Sequence, residues 1–225
     1  MKRTVVPELI DCPKSTRREA VDSLTDMQMF NRRFGGVRSM AALLRRVALQ
    51  RRLKSLTWLD VAGALGGLVN HTSMAVVKKG IEVKPVVLDR VVTHLASHNA
   101  SVCADALHLP FRDNSFDVVG SCLFLHHLEP EQVVMFVAES LRVARHAVLI
   151  NDLIRHPLHL AIAQAGIPIY RSRLTRHDAP ASVRRAYTIK EIRSLLGGSN
   201  AFKLEIDSYY LFRMGVIAWK SPDTA

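Results

Sequence analysis

The sequence predicts an α/β fold: a mostly parallel sheet with helices on both faces, a helical cap before it and an antiparallel hairpin after it. Three observations carry this. Short apolar runs alternate with helix-length segments between residues 57 and 152, the pattern of parallel strands joined by crossover helices. Two strand-like runs near the C-terminus follow each other with no helix between them, so they must pair as a hairpin. Residues 15–53 lack this alternation and carry apolar residues at helical spacing.

In the cap, Ser15 and Thr16 supply helix-capping hydroxyls, Gly35 and Gly36 divide two helices, and Leu43, Leu44, Val47, Ala48 and Leu53 form an apolar stripe among arginines. Residues 57–61 form a first strand that ends in a glycine-containing turn at 62–67, and a helix runs on to about Lys79. A second strand spans 84–89 and a helix 91–97; a third strand spans 101–105 and a fourth 116–122. A helix at 130–144 leads to a fifth strand at 146–152. The hairpin strands are 203–210 and 212–219, adding an antiparallel strand at the edge region of the sheet.

A chain of 225 residues fits one domain, 1–225, divided into a helical cap (1–54), a sheet core (55–152), a lid or helical insertion (153–200) and the terminal hairpin (201–225). No run of about 18 apolar residues suggests a membrane span. The N-terminus meets Pro7 and Glu8 before any apolar signal core forms, so a cytoplasmic location is expected. Cys12, Cys103 and Cys122 are widely spaced and odd in number, which argues against a disulfide framework or a zinc knuckle and favours buried thiols. No metal site is expected. The net charge of +11 attracts nucleic acid, anionic membrane or acidic ligands. Arg45, Arg46, Arg51 and Arg52 suit peripheral contact with an anionic membrane, although a solvated helix face explains them equally. Nucleic acid is disfavoured because basic and aromatic residues are not interleaved on a strand surface.

Ligands of open α/β sheets bind beyond the carboxyl ends of the strands, near the point where strand order reverses. Four features occupy such ends. After the first strand comes the turn with Gly63, Gly66 and Gly67, where glycine lets backbone approach a ligand. The second strand ends in Asp89, roughly 29 residues after Asp60, suited to accept both hydroxyl protons of a ribose. The third ends in Asp105 and Ala106, a carboxylate and an N–H that complement an adenine edge. The fourth runs into Leu123, Phe124, Leu125, His126 and His127.

Residues 105–119, D-A-L-H-L-P-F-R-D-N-S-F-D-V-V, carry a resemblance to the class I S-adenosylmethionine (SAM)-dependent methyltransferases, whose hallmark segment reads D-A-x-x-L-P-F-x-D-x-S-F-D-x-V. The His-rich turn before a helix follows as in that family, and the similarity extends over about residues 57–152. It implies a Rossmann-like seven-stranded sheet, SAM as cofactor and methyl transfer as the reaction. Asp60, Ala62, Gly63, Gly66, Asp89, Asp105, Ala106 and Leu123 would then bind the cofactor. The family's turn reads D-x-G-x-G-x-G, whereas here Ala62 and Ala64 hold the first two glycine positions and only Gly66 matches. Alanine resists positive φ, so either the turn shifts to Gly63, Gly66 and Gly67 or the site is weakened. Asp60 is expected to brace this turn through backbone N–H groups.

Residues 151–159 and 172–187 further resemble a bacterial subgroup associated with type III polyketide synthases. That implies a small aromatic, phenolic-lipid or quinol acceptor, methylated on oxygen or on an activated ring carbon. His127 is the candidate general base, since imidazole titrates near neutrality; a structural histidine is the plain alternative. Asp152 would orient a histidine or contact the acceptor, unless it caps the following helix. His126, Arg155, Arg173, Arg176, His177 and Tyr187 are the candidate acceptor contacts, with residues 171–187 read as a substrate lid or a solvated loop. The apolar run 158–170 fits an acceptor channel or helical core. Three other readings compete: an RNA methyltransferase; a NAD-dependent dehydrogenase, which lacks its G-x-G-x-x-G turn; and a non-catalytic module that keeps the fold without the cofactor.

Overall fold

A computed structural model describes residues 1–11, 15–95 and 100–222. Cys12 therefore lies outside the described residues, as do residues 96 and 97 of the helix expected at 91–97.

Two helices open the chain, α1 (Arg17–Arg33) and α2 (Gly36–Gln50). Thr16 caps α1 by accepting from the Glu19 N–H, and Glu19 returns a bond to Thr16, which satisfies two otherwise orphaned donors. The alternating region follows as β1 (Ser55–Val61), α3 (Gly67–Val77), β2 (Glu82–Asp89), β3 (Ser101–Cys103), β4 (Phe116–Cys122), α4 (Pro130–Val143) and β5 (Ala144–Leu153). Three further helices, α5 (Pro157–Ala165), α6 (Arg173–Arg185) and α7 (Ile189–Leu196), precede β6 (Lys203–Tyr209) and β7 (Arg213–Trp219).

The seven strands lie in the order β3-β2-β1-β4-β5-β7-β6. β1 to β5 pair in parallel, and β7 runs antiparallel to both β5 and β6. The hairpin is thus inserted rather than merely appended: β7 slots between β5 and β6, so β6 forms the edge. All seven residues of β7 are buried, and its apolar composition demands neighbours on both sides. Strand order reverses between β1 and β4, and the carboxyl ends of those strands frame the crevice.

Side chains alternate across the sheet and build two cores. Leu56, Trp58 and Val87 pack with Met40, Leu44 and Val47 of α2 and Val69 of α3. Leu59, Val61 and Val119 pack with Val133 and Phe136 of α4 and Ile192 of α7. Each fully buried side chain of this size stabilises by about 1.5–3 kcal/mol. α6 packs against α1 and α5, and α1 joins it to α2 and α3.

Several local expectations change. Where a helix was expected at 91–97, the described part holds only a 3-10 turn, Val92–His94. The stretch 171–187 is no loop: it is α6, capped by Ser172, with Leu174, Ala181 and Val183 buried. Cys122 is buried, but Cys103 is exposed. Of the four cap arginines, Arg46 pairs with Glu205 at 2.8 Å and Asp207 at 3.1 Å, and Arg51 lies over the Trp219 ring. Among the described residues no helix is long and apolar enough to cross a membrane.

The N-terminal segment runs along α6. The Thr4 N–H donates to the Arg184 carbonyl, and the Leu9 and Ile10 N–H groups donate to the Asp178 carboxylate at 2.7 and 3.0 Å. This path delivers Glu8 into the interior, 5% exposed.

Candidate active site

The turn after β1 keeps its register. Ala62, Ala64 and Gly66 all adopt positive φ, at 58°, 45° and 69°, so the alanines take the left-handed conformation and no shift to Gly63, Gly66 and Gly67 occurs. A Cβ on Gly63 would come within 2.6 Å of Asp60 Oδ2 and 2.8 Å of Val87 Cγ1, so only glycine lets the backbone pass there. The turn is braced by Asp89, not by Asp60. Asp89 accepts from the Ala64 N–H at 3.1 Å and the Val91 N–H at 2.9 Å, and the Gly63 N–H donates to the Leu88 carbonyl.

Asp60 is 1% exposed, and among the described residues neither carboxylate oxygen has a hydrogen-bond partner. Burial, and then the charge of Asp89, push its carboxyl well above the usual range. A buried carboxylate in this condition takes up a proton or a cation. It faces a hollow of about 40 Å³ that is also lined by Ala62, Gly63, Gln28, Asn31 and Cys122. Gln28 of α1 lies against Gly67, which narrows the hollow. Asp105 stands farther out, exposed, accepting from the Leu107 N–H at 2.9 Å, and Ala106 is buried beside it.

A second cavity, about 270 Å³ and mainly apolar, opens on the other side of Leu123. α1 contributes Phe30 and Phe34, α5 contributes Ile162, and Tyr170 and Phe212 complete the greasy wall. Met27 of α1 lines both spaces; Cys122 lines the hollow, and its neighbour Leu123, at positive φ, lines the cavity.

Polar groups gather at one part of this cavity. His126 Nδ1 lies 2.7 Å from Asp152 Oδ1, and the His126 N–H donates to Asp152 Oδ2 at 3.0 Å. Glu8 stands on the far side, with Oε1 3.5 Å from His126 Nε2 and Oε2 3.6 Å from His127 Nε2. Ser182 donates to Glu8 Oε1 at 2.8 Å. Burial alone would lower the His126 pKa, but Asp152 and then Glu8 carry it up to about 10. Burial likewise works to raise the Asp152 and Glu8 carboxyls, and His126 overrides it in both. Asp152 thus sits behind His126 and orients it. It does not cap α5, since that cap is His156, which accepts from the Leu158 N–H.

The remaining sequence candidates lie elsewhere. Arg155 is buried, donating to the Met1 and Ala186 carbonyls and to Glu191. Tyr187 donates to the Leu128 carbonyl and carries Arg3 over its ring. Arg173 pairs with Glu19, Arg176 holds the Tyr170 carbonyl, and His177 contacts Asp178. None of these five lines the cavity. Their polarity signalled engagement correctly, but the partners belong to the scaffold.

Glu8 and Arg213 are among the lining residues that escaped the sequence reading. Glu8 belongs to no motif or period, and only the path of the N-terminal segment brings it in. Arg213 is buried at the cavity wall and donates to Asn151 and Asn31 at 2.9 and 2.8 Å; its strand register alone placed it there.

Residues 59–150 match the family model described as a methyltransferase domain. No curated protein matches the chain. Among solved structures the chain is similar to the plantazolicin methyltransferase BpumL in complex with SAH, at 12% identity and a TM-score of 0.68, covering 94% of this chain and 93% of that one. It is also similar to a SAM-dependent methyltransferase from Aquifex aeolicus, at 16% identity and a TM-score of 0.56, covering 80% and 88%. A third is an O-methyltransferase family 2 protein from Planctomyces limnophilus in complex with apigenin, at 16% identity and a TM-score of 0.60, covering 93% and 63%. At these identities the structures speak for the fold, and the family match speaks for the central segment. Asp60 without a partner, the three left-handed turn residues and Asp89 at its strand end fit the cofactor of that family. Residues 59–150 accordingly match a methyltransferase domain and the chain has the fold of SAM-dependent methyltransferases; together these make it an enzyme whose cofactor is SAM.

Proposed function

We propose that this enzyme methylates a small, largely apolar acceptor, an aromatic, phenolic-lipid or quinol molecule, at an oxygen or an activated ring carbon. One observation carries the reading. An apolar cavity with an imidazole–carboxylate cluster adjoins the hollow beside the β1 turn, and Met27 of α1 lines both. Such a cavity suits an acceptor with a greasy body and a single ionisable group. The resemblance to the polyketide-associated subgroup supports the same acceptor class.

Bound SAM supplies a methyl group on a positively charged sulfonium. Asp60 would offer its buried carboxylate to the ammonium of the amino-acid part, Asp89 would accept from the ribose hydroxyls, and Asp105 and Ala106 would hold the adenine edge. His127, more open than His126, accepts the acceptor's proton, and Glu8 stabilises the resulting imidazolium. Asp152 fixes His126 beside it. The protein's main contribution is to hold both ligands in line and exclude water.

Calorimetric titration with SAM and SAH, alongside Asp89→Ala, tests the first half. Micromolar binding that the variant loses is the expected result. A folded chain that binds neither ligand would overturn it. A screen of phenols and quinols with labelled SAM then tests the acceptor class, and label transferred only to RNA would replace it.

A further inference from the structure

The sequence predicts no metal site, its three cysteines being too widely spaced for a zinc knuckle. The fold makes one. Glu8, His126 and His127 each present a ligand atom, and the three atoms lie within 4.8 Å of one another. All three residues line the apolar cavity.

Glu8 Oε1 stands 3.5 Å from His126 Nε2 and Glu8 Oε2 3.6 Å from His127 Nε2, longer than a well-formed hydrogen bond. Ligands at about 2.0–2.1 Å from a tetrahedral ion stand about 3.3 Å apart, which these pairs approach. The surroundings also match. Asp152 holds His126 Nδ1 at 2.7 Å, the carboxylate–histidine arrangement that aims the other ring nitrogen at an ion and raises its basicity. Ser182 holds Glu8 Oε1 at 2.8 Å. Both inner ligands are therefore oriented by outer partners, and two buried carboxylates, Glu8 and Asp152, supply negative charge.

From this geometry we infer that Glu8, His126 and His127 bind one divalent first-row transition ion, with a remaining position open to the acceptor cavity. Imidazole and carboxylate together suit zinc, iron or cobalt better than magnesium or calcium. Three protein ligands with an open fourth position is the pattern of ions that engage a substrate or water. The ion and the proton-accepting role of His127 are alternative states of the cluster. Loaded, the ion meets the acceptor oxygen's negative charge; ion-free, His127 takes the acceptor's proton. The site goes beyond the methyl-transfer reading and is tested without cofactor or acceptor.

The experiment titrates chelator-stripped, tag-free full chain with Co²⁺, following its visible absorption, and then competes with Zn²⁺. One ion per chain and the intense bands of a four-coordinate site are expected. His127→Ala and Glu8→Gln should abolish them or weaken binding strongly, and Asp152→Asn should weaken it about tenfold or more. Circular dichroism checks that each variant is folded, and Cys103→Ser should leave the titration unchanged. No binding by the wild type, or binding that survives both ligand substitutions, overturns the inference.

Discussion

Ala62 and Ala64 carry a local strain that the rest of the turn enforces. Their φ values of 58° and 45° place Cβ close to the following carbonyl, at roughly 1–2 kcal/mol per residue. The strain persists because Asp89 anchors the Ala64 N–H and the Gly63 N–H is tied to Leu88. Glycine at either position relieves the clash but leaves a freer unfolded chain, so the net gain is about 1 kcal/mol each. In thermal denaturation, Ala62→Gly and Ala64→Gly should each raise Tm by about 2–4 °C, with SAM affinity kept or improved. Lower Tm values would mean that the alanines do not occupy the left-handed region. The sequence revealed the departure from the glycine pattern here. It could not reveal that the backbone keeps its course, because that depends on anchors at residues 88 and 89.

At the scale of elements, Arg155 shows how a residue suited to bind a substrate serves packing instead. It lies just past β5 and joins the N-terminal residue, the end of α6 and the start of α7 through Met1, Ala186 and Glu191. Arg155→Met leaves two carbonyls and a carboxylate without their donor, at about 2 kcal/mol or more. The expected result is a Tm lower by several degrees with acceptor KM unchanged at a temperature where the variant is folded. A selective rise in KM at normal stability would restore the role expected from sequence. Element types were largely legible: the strand runs and the α4 boundaries followed from periodicity and from Pro130 at a helix start. α6 was harder to read, because its composition of Arg, His, Asp and an internal Pro180 mimics a loop, and only its packing against α1 and α5 makes helix the better state.

At the scale of the molecule, the N-terminal segment and the helix α1 bring Glu8 and an apolar wall to the cavity beside the sheet. Residues 1–11 add Glu8 to the cavity and contribute no strand to the sheet. Removing residues 1–11 should therefore leave the circular dichroism spectrum and SAM binding close to normal while methyl transfer falls at least tenfold. A truncated chain that retains full turnover would show that Glu8 is dispensable. One that fails to fold would show that the bonds from Leu9, Ile10 and Thr4 to α6 hold the structure rather than the site.

The architecture was legible in the sequence, and with it the strand ends that frame the crevice. Hydrophobic alternation is a local signal read within one strand or helix, and it placed Asp60 and Asp89 at strand ends, whereas β3 stops at Cys103, short of Asp105. The acceptor side was decided only by tertiary structure. Glu8, His126 and Asp152 are separated by 118 and 26 residues along the chain, and Arg213 reaches the cavity through the register of an inserted strand. No local periodicity encodes such a meeting. It follows from the order of seven strands, the path of the N-terminal segment along α6, and the burial that makes each of these charged groups require a partner.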